Sequence, residues 1–245
     1  INLLKTVSTS DPVLPATSEI AAGVGTKTIS VRITDGNDDG IESVGLGNWG
    51  YNVNLTAGVL DTPVATDKTQ NDSDLNLTAF RFLNLDIPQG ATISDARLKL
   101  TSSQGDTGRS EWSVSIEDNP TAGPFRSALA GLTYYKPSGY VRREDSLHKG
   151  VSVKWSRGKT NKNQVYPSPN LKSLLKRVVN DASWDSQNNA VSLFMWPKDI
   201  AKKHRDKNFY SGNTGTESRR PELEVTYTAS IPVNTKHMLG FHFND

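Results

Sequence analysis

The stretch Phe80-Arg-Phe-Leu-Asn-Leu85, with Ile87-Pro-Gln-Gly90 and Ile93-Ser-Asp-Ala-Arg-Leu-Lys-Leu100 behind it, decides the fold. Phe80 and Phe82 share one face of an extended chain, as do Ala96, Leu98 and Leu100, because successive side chains of a strand point to opposite sides. Between the two runs Pro88 presets its φ and Gly90 accepts a left-handed one, so the chain turns there. Two strands joined by a short turn therefore form the centre. Arg81 falls on the face opposite its two phenylalanines. If that face is solvated, Arg81 meets water or a carboxylate; if it is covered, Arg81 needs a buried partner, with Asp95 and Glu224 as candidates.

Working outward, the same period recurs. Ile29, Val31 and Ile33 alternate in Lys27–Ile33, Trp112, Val114 and Ile116 in Glu111–Glu117, and Leu223, Val225 and Tyr227 in Glu222–Thr228. Val151–Trp155 and Ala190–Trp196 read as further strands, and residues 44–60 as a glycine-punctuated one around Trp49, Tyr51 and Val53. Trp112 and Trp196 are expected in the core; Trp155, Tyr134, Tyr135 and Tyr140 fit core better than an exposed sugar platform. Residues 118–150 and 156–164 read as loops. One helix stands out: Leu171, Leu174, Leu175, Val178 and Val179 recur at helical spacing, Ser168 is placed to cap it and Pro169 to open it. Many short strands with turn-rich joins and one helix predict an all-β, antiparallel, jelly-roll-like β-sandwich with one short α-helix. The expected organisation is an extended N-terminal arm over 1–26, one sandwich domain over 27–228 and a tail over 229–245, the tail carrying Leu239, Phe241 and Phe243.

Composition narrows the chemistry. The chain has 245 residues and no cysteine, which excludes a disulfide framework, thiolate zinc, Fe–S ligation and a cysteine nucleophile. Its net charge is +2, but residues 1–125 hold 8 Lys/Arg against 16 Asp/Glu and residues 126–245 hold 20 against 10. Either the halves interleave and cancel, or they do two electrostatic jobs: an acidic half holding a hard cation and a basic half attracting an anionic polymer. No apolar run approaches the roughly 18–20 residues of a membrane span, so membrane insertion is not expected.

Several strings, taken in order, carry a resemblance: Ile33-Thr-Asp-Gly-Asn-Asp-Asp-Gly-Ile-Glu42, Ser73-Asp-Leu-Asn-Leu77, the Phe80–Ala96 run, Ser168-Pro-Asn-Leu171 with its helix, Trp184, and Arg220-Pro-Glu-Leu-Glu-Val-Thr-Tyr227. Over residues 28–228 the chain resembles the DNRLRE-type, disaggregatase-related β-sandwich domains, close kin of alginate-binding carbohydrate-binding modules. The resemblance implies a jelly-roll sandwich serving as a non-catalytic module of secreted, cell-surface or virion proteins. The dense Lys/Arg of residues 142–207 depart from that pattern.

Two clusters carry candidate chemistry. Asp35, Asn37, Asp38, Asp39 and Glu42 place four carboxylates and an amide oxygen on a glycine-bearing turn, and Asp74 is in reach to complete a shell; Ca2+ takes roughly six to eight oxygens, so a structural Ca2+ is the expected cofactor. The alternative is a solvated turn whose Asx side chains bond their own backbone. Lys202, Lys203, His204, Arg205, Lys207 and Tyr210, with Arg157, form a basic and aromatic set suited to carboxylates or sulfates of a glycan. The set lacks the interleaved stacking platform of RNA-binding modules, so nucleic acid is disfavoured. No hydrolase, metalloprotease or P-loop motif occurs. The nearest catalytic arrangement is a polysaccharide lyase using Arg205, His204 and Tyr210, and an enzyme is not expected.

The sequence thus leads to a non-catalytic carbohydrate-binding or adhesion sandwich, Ca2+-stabilised, recognising an anionic polysaccharide or cell-surface glycan outside the cell or on its surface. The alternative is a structural component of an assembly at a virion surface or in a surface layer (a decoration or fibre protein). It would associate with its own copies or other subunits through the arm and tail.

Overall fold

Alternation becomes strand along most of the chain in a computed structural model, which describes residues 23–44, 52–61, 75–125, 133–136, 139–142, 151–197 and 207–231. The strands are β1 (Gly23–Arg32), β2 (Asp39–Val44), β3 (Asn52–Asn54), β4 (Val59–Asp61), β5 (Leu75–Leu83), β6 (Thr92–Thr101), β7 (Ser110–Ile116), β8 (Thr133–Lys136), β9 (Gly139–Arg142), β10 (Val153–Arg157), β11 (Val165–Pro167), β12 (Ala190–Pro197), β13 (Asn208–Tyr210) and β14 (Glu222–Ile231), with one helix, α1 (Lys172–Val179). One sheet runs β1-β14-β6-β11, a larger one β10-β7-β12-β5-β2-β3, and β13-β4 and β8-β9 form small pairs. Every pairing with a defined register is antiparallel. From β5 to β7 the chain passes from the larger sheet to the smaller and back, and it crosses again at β11, β12 and β14. The expected all-β antiparallel sandwich with one short helix is the observed architecture. The chain divides into a unit of residues 26–229 and a second of 1–25 with 230–245, of which only 23–25 and 230–231 are described.

The core lies between the two large sheets. Phe80 and Phe82 of β5, Trp112, Val114 and Ile116 of β7, Trp155 of β10 and Val191, Leu193 and Met195 of β12 face Ile93, Ala96, Leu98 and Leu100 of β6 and Leu223, Val225 and Tyr227 of β14. Helix α1 adds Leu174, Leu175, Val178 and Val179. Its end is tied to the predicted turn: Gly90, at φ 72, donates its N–H to Val179 O at 3.2 Å, and Trp184 Nε1 donates to Ile87 O at 2.8 Å. Lys176 and Arg177 sit in the last helical turn, the favourable end for cations.

The capping expectation is corrected. The helix starts at Lys172, and Leu171, at the N-cap, supplies no side-chain bond. Ser168 Oγ instead accepts from Leu98 N at 3.0 Å and donates to Pro169 O at 2.8 Å, because residues 165–171 still run alongside β6. Asn170 Oδ1 takes the capping part, accepting from Lys172 N at 2.9 Å and Ala96 N at 3.1 Å.

A second apolar layer covers the other face of the larger sheet. Leu77 and Ala79 of β5 and Phe194 of β12 point away from the main core and pack with Leu55 and Phe125. Phe125 meets Phe194 edge-on, centroids 6.1 Å apart. The larger sheet is therefore buried on both sides at β5 and β12, which a period-two pattern read as one wet face does not anticipate. Strand boundaries shift modestly: β1 begins at Gly23 rather than Lys27, and β14 runs on to Ile231. The β8–β9 hairpin occupies part of what reads as loop.

Phe82 and Phe194 point to opposite faces and are both essentially inaccessible. Alanine at either position is expected to cost about 3–5 kcal/mol in urea unfolding. A loss below about 1 kcal/mol for Phe194→Ala would show that the outer layer is not a true second core.

Candidate functional site

The acidic turn begins as the sequence suggests. Asp35 caps a one-turn 3-10 helix, Gly36–Asp38, its Oδ1 accepting from Asn37 N at 2.9 Å. From there the carboxylates separate. Asp38 accepts from Arg81 Nη1 at 2.6 Å, and Arg81 Nε donates to Ala122 O at 2.8 Å. Both side chains are nearly buried, 7% and 14% exposed. Arg81 thus has the buried partner that a covered face demands, but it is Asp38. Asp95 instead pairs with Arg97, and Glu224 with Lys99.

Asp39, 1% exposed, opens β2. Its Oδ2 accepts from Gly212 N at 2.6 Å, while Oδ1 has no hydrogen-bond partner. Burial pushes its carboxyl up to about 7; the Gly212 N–H and Arg220 oppose that, and Asp38 adds to it. Gly212 is required for this approach, because a Cβ there would lie 2.6 Å from Ile33 Cγ2. The loop it belongs to is knotted to residues 55–58: Ser211 Oγ donates to Ala57 O at 2.5 Å and Asn213 Nδ2 to Leu55 O at 2.8 Å. Arg220 reaches Thr214 O and Thr34 O.

Three of the expected calcium ligands, Asp35, Asp38 and Asp39, are not brought onto one centre. Asp35, Asp38 and Asp39 are each directed to a separate protein partner, and a guanidinium holds the place a cation would take at Asp38. Among the described residues no three His, Asp or Glu side chains are grouped to hold a metal. The Glu42 side chain and Asp74 lie outside the described residues.

The basic set is likewise divided. Lys202, Lys203, His204 and Arg205, and with them two members of the lyase arrangement, lie outside the described residues. Lys207, expected to meet a ligand, is fully buried: its Nζ donates to Asp106 Oδ1 at 2.7 Å and Gly108 O at 2.6 Å. Lys207, the last residue of the segment read as basic loop, directly precedes β13 and is buried. Tyr210, the residue after Phe209, is half-buried; its OH donates to Asn163 Oδ1 at 3.0 Å and accepts from Arg219 Nη1 at 3.2 Å. The Arg219 guanidinium lies 5.0 Å from the Tyr210 ring centroid. Arg157 is half-buried with its guanidinium 4.2 Å from the Tyr166 ring centroid. Trp155 and Trp112 stack edge-on at 5.3 Å inside the core.

Sequence reasoning missed Asp106, Asn163 and Gly212. Asp106-Thr-Gly108 carried a turn signal, since Asp106 Oδ1 accepts from Gly108 N at 2.5 Å. Asn163 sits at φ 63, a conformation asparagine tolerates. Nothing local marked Gly212 as the donor to a residue so distant in the chain.

No protein-family model matches the chain, and no curated protein matches it. Among solved structures, that of Desmodium yellow mottle tymovirus aligns over 95% of this chain and 94% of its own, at 7% identity and a TM-score of 0.30. A cryo-EM structure of Mud crab tombus-like virus aligns over 96% of each chain, at 15% identity and a TM-score of 0.27. The fold assignment rests on the sheets, registers and core described above.

Two outcomes follow from the acidic turn. Arg81→Ala strands Asp38 beneath the outer layer and should cost about 3–5 kcal/mol, whereas Arg81→Met with Asp38→Leu should recover most of it; equal losses in the single and double variants would contradict a buried pair. Asp39 binds a proton more tightly in the folded chain than at its ordinary value of 3.8. Its ionisation therefore lowers stability as pH rises from about 4 through about 7. Asp39→Asn should flatten that slope and stabilise the protein at pH 8, by about 1 kcal/mol or more, in urea titrations at both pH values.

Proposed function

We propose that the chain is a non-catalytic β-sandwich subunit of an extracellular or particle-surface assembly, joined to a neighbour by strand addition along β1. The observation that carries this reading is the open edge of that strand. β1 is the outermost strand of its sheet and 10 residues long, and among the described residues no strand pairs with its outer side. Free edges of this length are normally guarded by unpaired lysines, proline, a bulge or shortness. Here Lys27 is held by Asp86 at 2.5 Å and Arg32 by Glu222, and the strand has no proline. An extended segment added to this edge would satisfy its backbone groups, which is the logic of β-augmentation. The DNRLRE-type resemblance supports the same class, since it implies a module of secreted, cell-surface or virion proteins.

A second reading, recognition of an anionic glycan, is favoured by one surface: Tyr210, Arg219 and Asn163 remain partly accessible and present an aromatic ring, a guanidinium and an amide together. The burial of Lys207 removes one member of the set that reading relies on.

Thr26 and Ser30 are exposed on β1. Replacing both by lysine should restore the missing edge guard: self-association measured by sedimentation should fall, while unfolding free energy changes by no more than about 0.5 kcal/mol. Wild-type protein that stays monomeric up to its solubility limit overturns the assembly reading.

A further inference from the structure

Lys207 is fully buried, its side chain 0% exposed, and it lies against a carboxylate. Its Nζ donates to Asp106 Oδ1 at 2.7 Å and to Gly108 O at 2.6 Å. Asp106 Oδ1 also accepts from Gly108 N at 2.5 Å, so Gly108 contacts both members of the pair. The main chain fixes each member separately. Asp106 exchanges backbone hydrogen bonds with Thr160, at 2.7 and 3.1 Å. Next to Lys207, Asn208 O accepts from Ser103 N at 2.8 Å, and Phe209 forms a β-bridge with Ser102. Phe209 is itself buried and meets Trp112 edge-on, centroids 6.4 Å apart.

Such a pair is costly as two ions and well placed to lose both charges. Taking an ammonium and a carboxylate out of water removes hydration that their attraction only partly replaces, whereas an amide carries no charge into the interior. A lysine nitrogen is a nucleophile once it has given up a proton, and a carboxyl carbon is an electrophile for it. Near-attack geometry needs the reacting atoms about 3–3.5 Å apart and held there. A nitrogen hydrogen-bonded to one carboxyl oxygen is close to the carbon by construction, and two anchored backbones supply the holding. Gly108 adds two contacts: its carbonyl orients Nζ, and its N–H meets the oxygen whose charge changes during the transfer. The Asp106 side chain keeps 24% exposure while Lys207 has none, so a leaving water has its exit on the aspartate side. The chain has no cysteine, so no disulfide ties these segments.

We propose that Lys207 and Asp106 condense in the folded chain to an isopeptide bond, which joins the β6–β7 connection to the residue preceding β13. Two protons pass from Nζ to Oδ1, the Nζ–Cγ bond forms, the Cγ–Oδ1 bond breaks, and Oδ1 leaves as water. Oδ2 remains as the amide carbonyl, and the last Nζ hydrogen stays directed at Gly108 O. Ammonium plus carboxylate gives amide plus water, so no oxidant, cofactor or activating nucleotide is consumed. The bond involves no residue of β1, so it stands or falls independently of the assembly reading.

The test is the intact mass of the full chain after denaturation. It should be lower than the sequence mass by one water, and a tryptic digest should contain a branched peptide carrying both Asp106 and Lys207. Dehydration of Asp35-Gly36 or Asp39-Gly40 to a succinimide loses the same mass, and mild base separates the two cases: it reopens a succinimide and leaves an isopeptide intact. Lys207→Met keeps an unbranched side chain and should show the full mass of its own sequence. A wild-type chain of full mass overturns the proposal and leaves an ordinary ion pair. So does a lost water that base restores, or one that Lys207→Met still lacks.

Discussion

Around β5 and β12 the larger sheet has no wet face, and much of the structure depends on that constraint. A side chain pointing away from the main core does not reach water here; it enters a second layer built from Leu55, Leu77, Ala79, Phe125 and Phe194. The buried guanidinium in that layer is met by protein. Arg81 meets Asp38 on one side and the carbonyl of Ala122 on the other, so a single guanidinium fixes both the acidic turn and the segment that covers the sheet. Ser192 lies beside Arg81 in the register, and Glu117 continues that row through its N–H to Ser192 O. The polar row is thus part of what locates the covering layer.

Charge is distributed by the same logic. Among the described residues, charges of the acidic first half and the basic second half meet in pairs. Lys207 of the second half is matched by Asp106 of the first, Glu222 of the second by Arg32 and Lys99 of the first, and Lys154 by Glu111. The Lys154 bond and charge hold the Glu111 carboxyl down at about 2, with Arg109 adding to the effect. Strands from distant parts of the chain interleave in each sheet, and their opposite charges meet.

The fold was legible wherever local period and burial agree. Phe80 and Phe82, Ala96 to Leu100, Trp112 to Ile116 and Leu223 to Tyr227 announced strands and their inner faces because a two-residue repeat needs no long-range information. The Pro88–Gly90 turn was legible for the same local reason. The outer layer was not, because Leu77, Ala79 and Phe194 occupy positions that alternation assigns to solvent and only tertiary packing covers them. The three-residue strands β4, β11 and β13 are too short to show a period. The candidate sites fared less well. An acidic run reads as a metal loop until its members are seen facing Arg81 and Gly212, and Lys207 reads as surface until it is seen buried on Asp106.

The wiring of the sheets also bears on how the chain reaches its native state. β5 can meet β2 early, but its other edge pairs with β12, and the main chain at Asn84 and Leu85 is closed by Asn189. Such separations make loop closure the dominant entropic cost of folding. A domain of this topology is expected to fold slowly, in roughly milliseconds to seconds or longer. During synthesis, the phenylalanine-bearing strand Leu75–Leu83 must wait, one edge open, while more than a hundred further residues are made. That interval leaves a phenylalanine-rich strand edge open to aggregation.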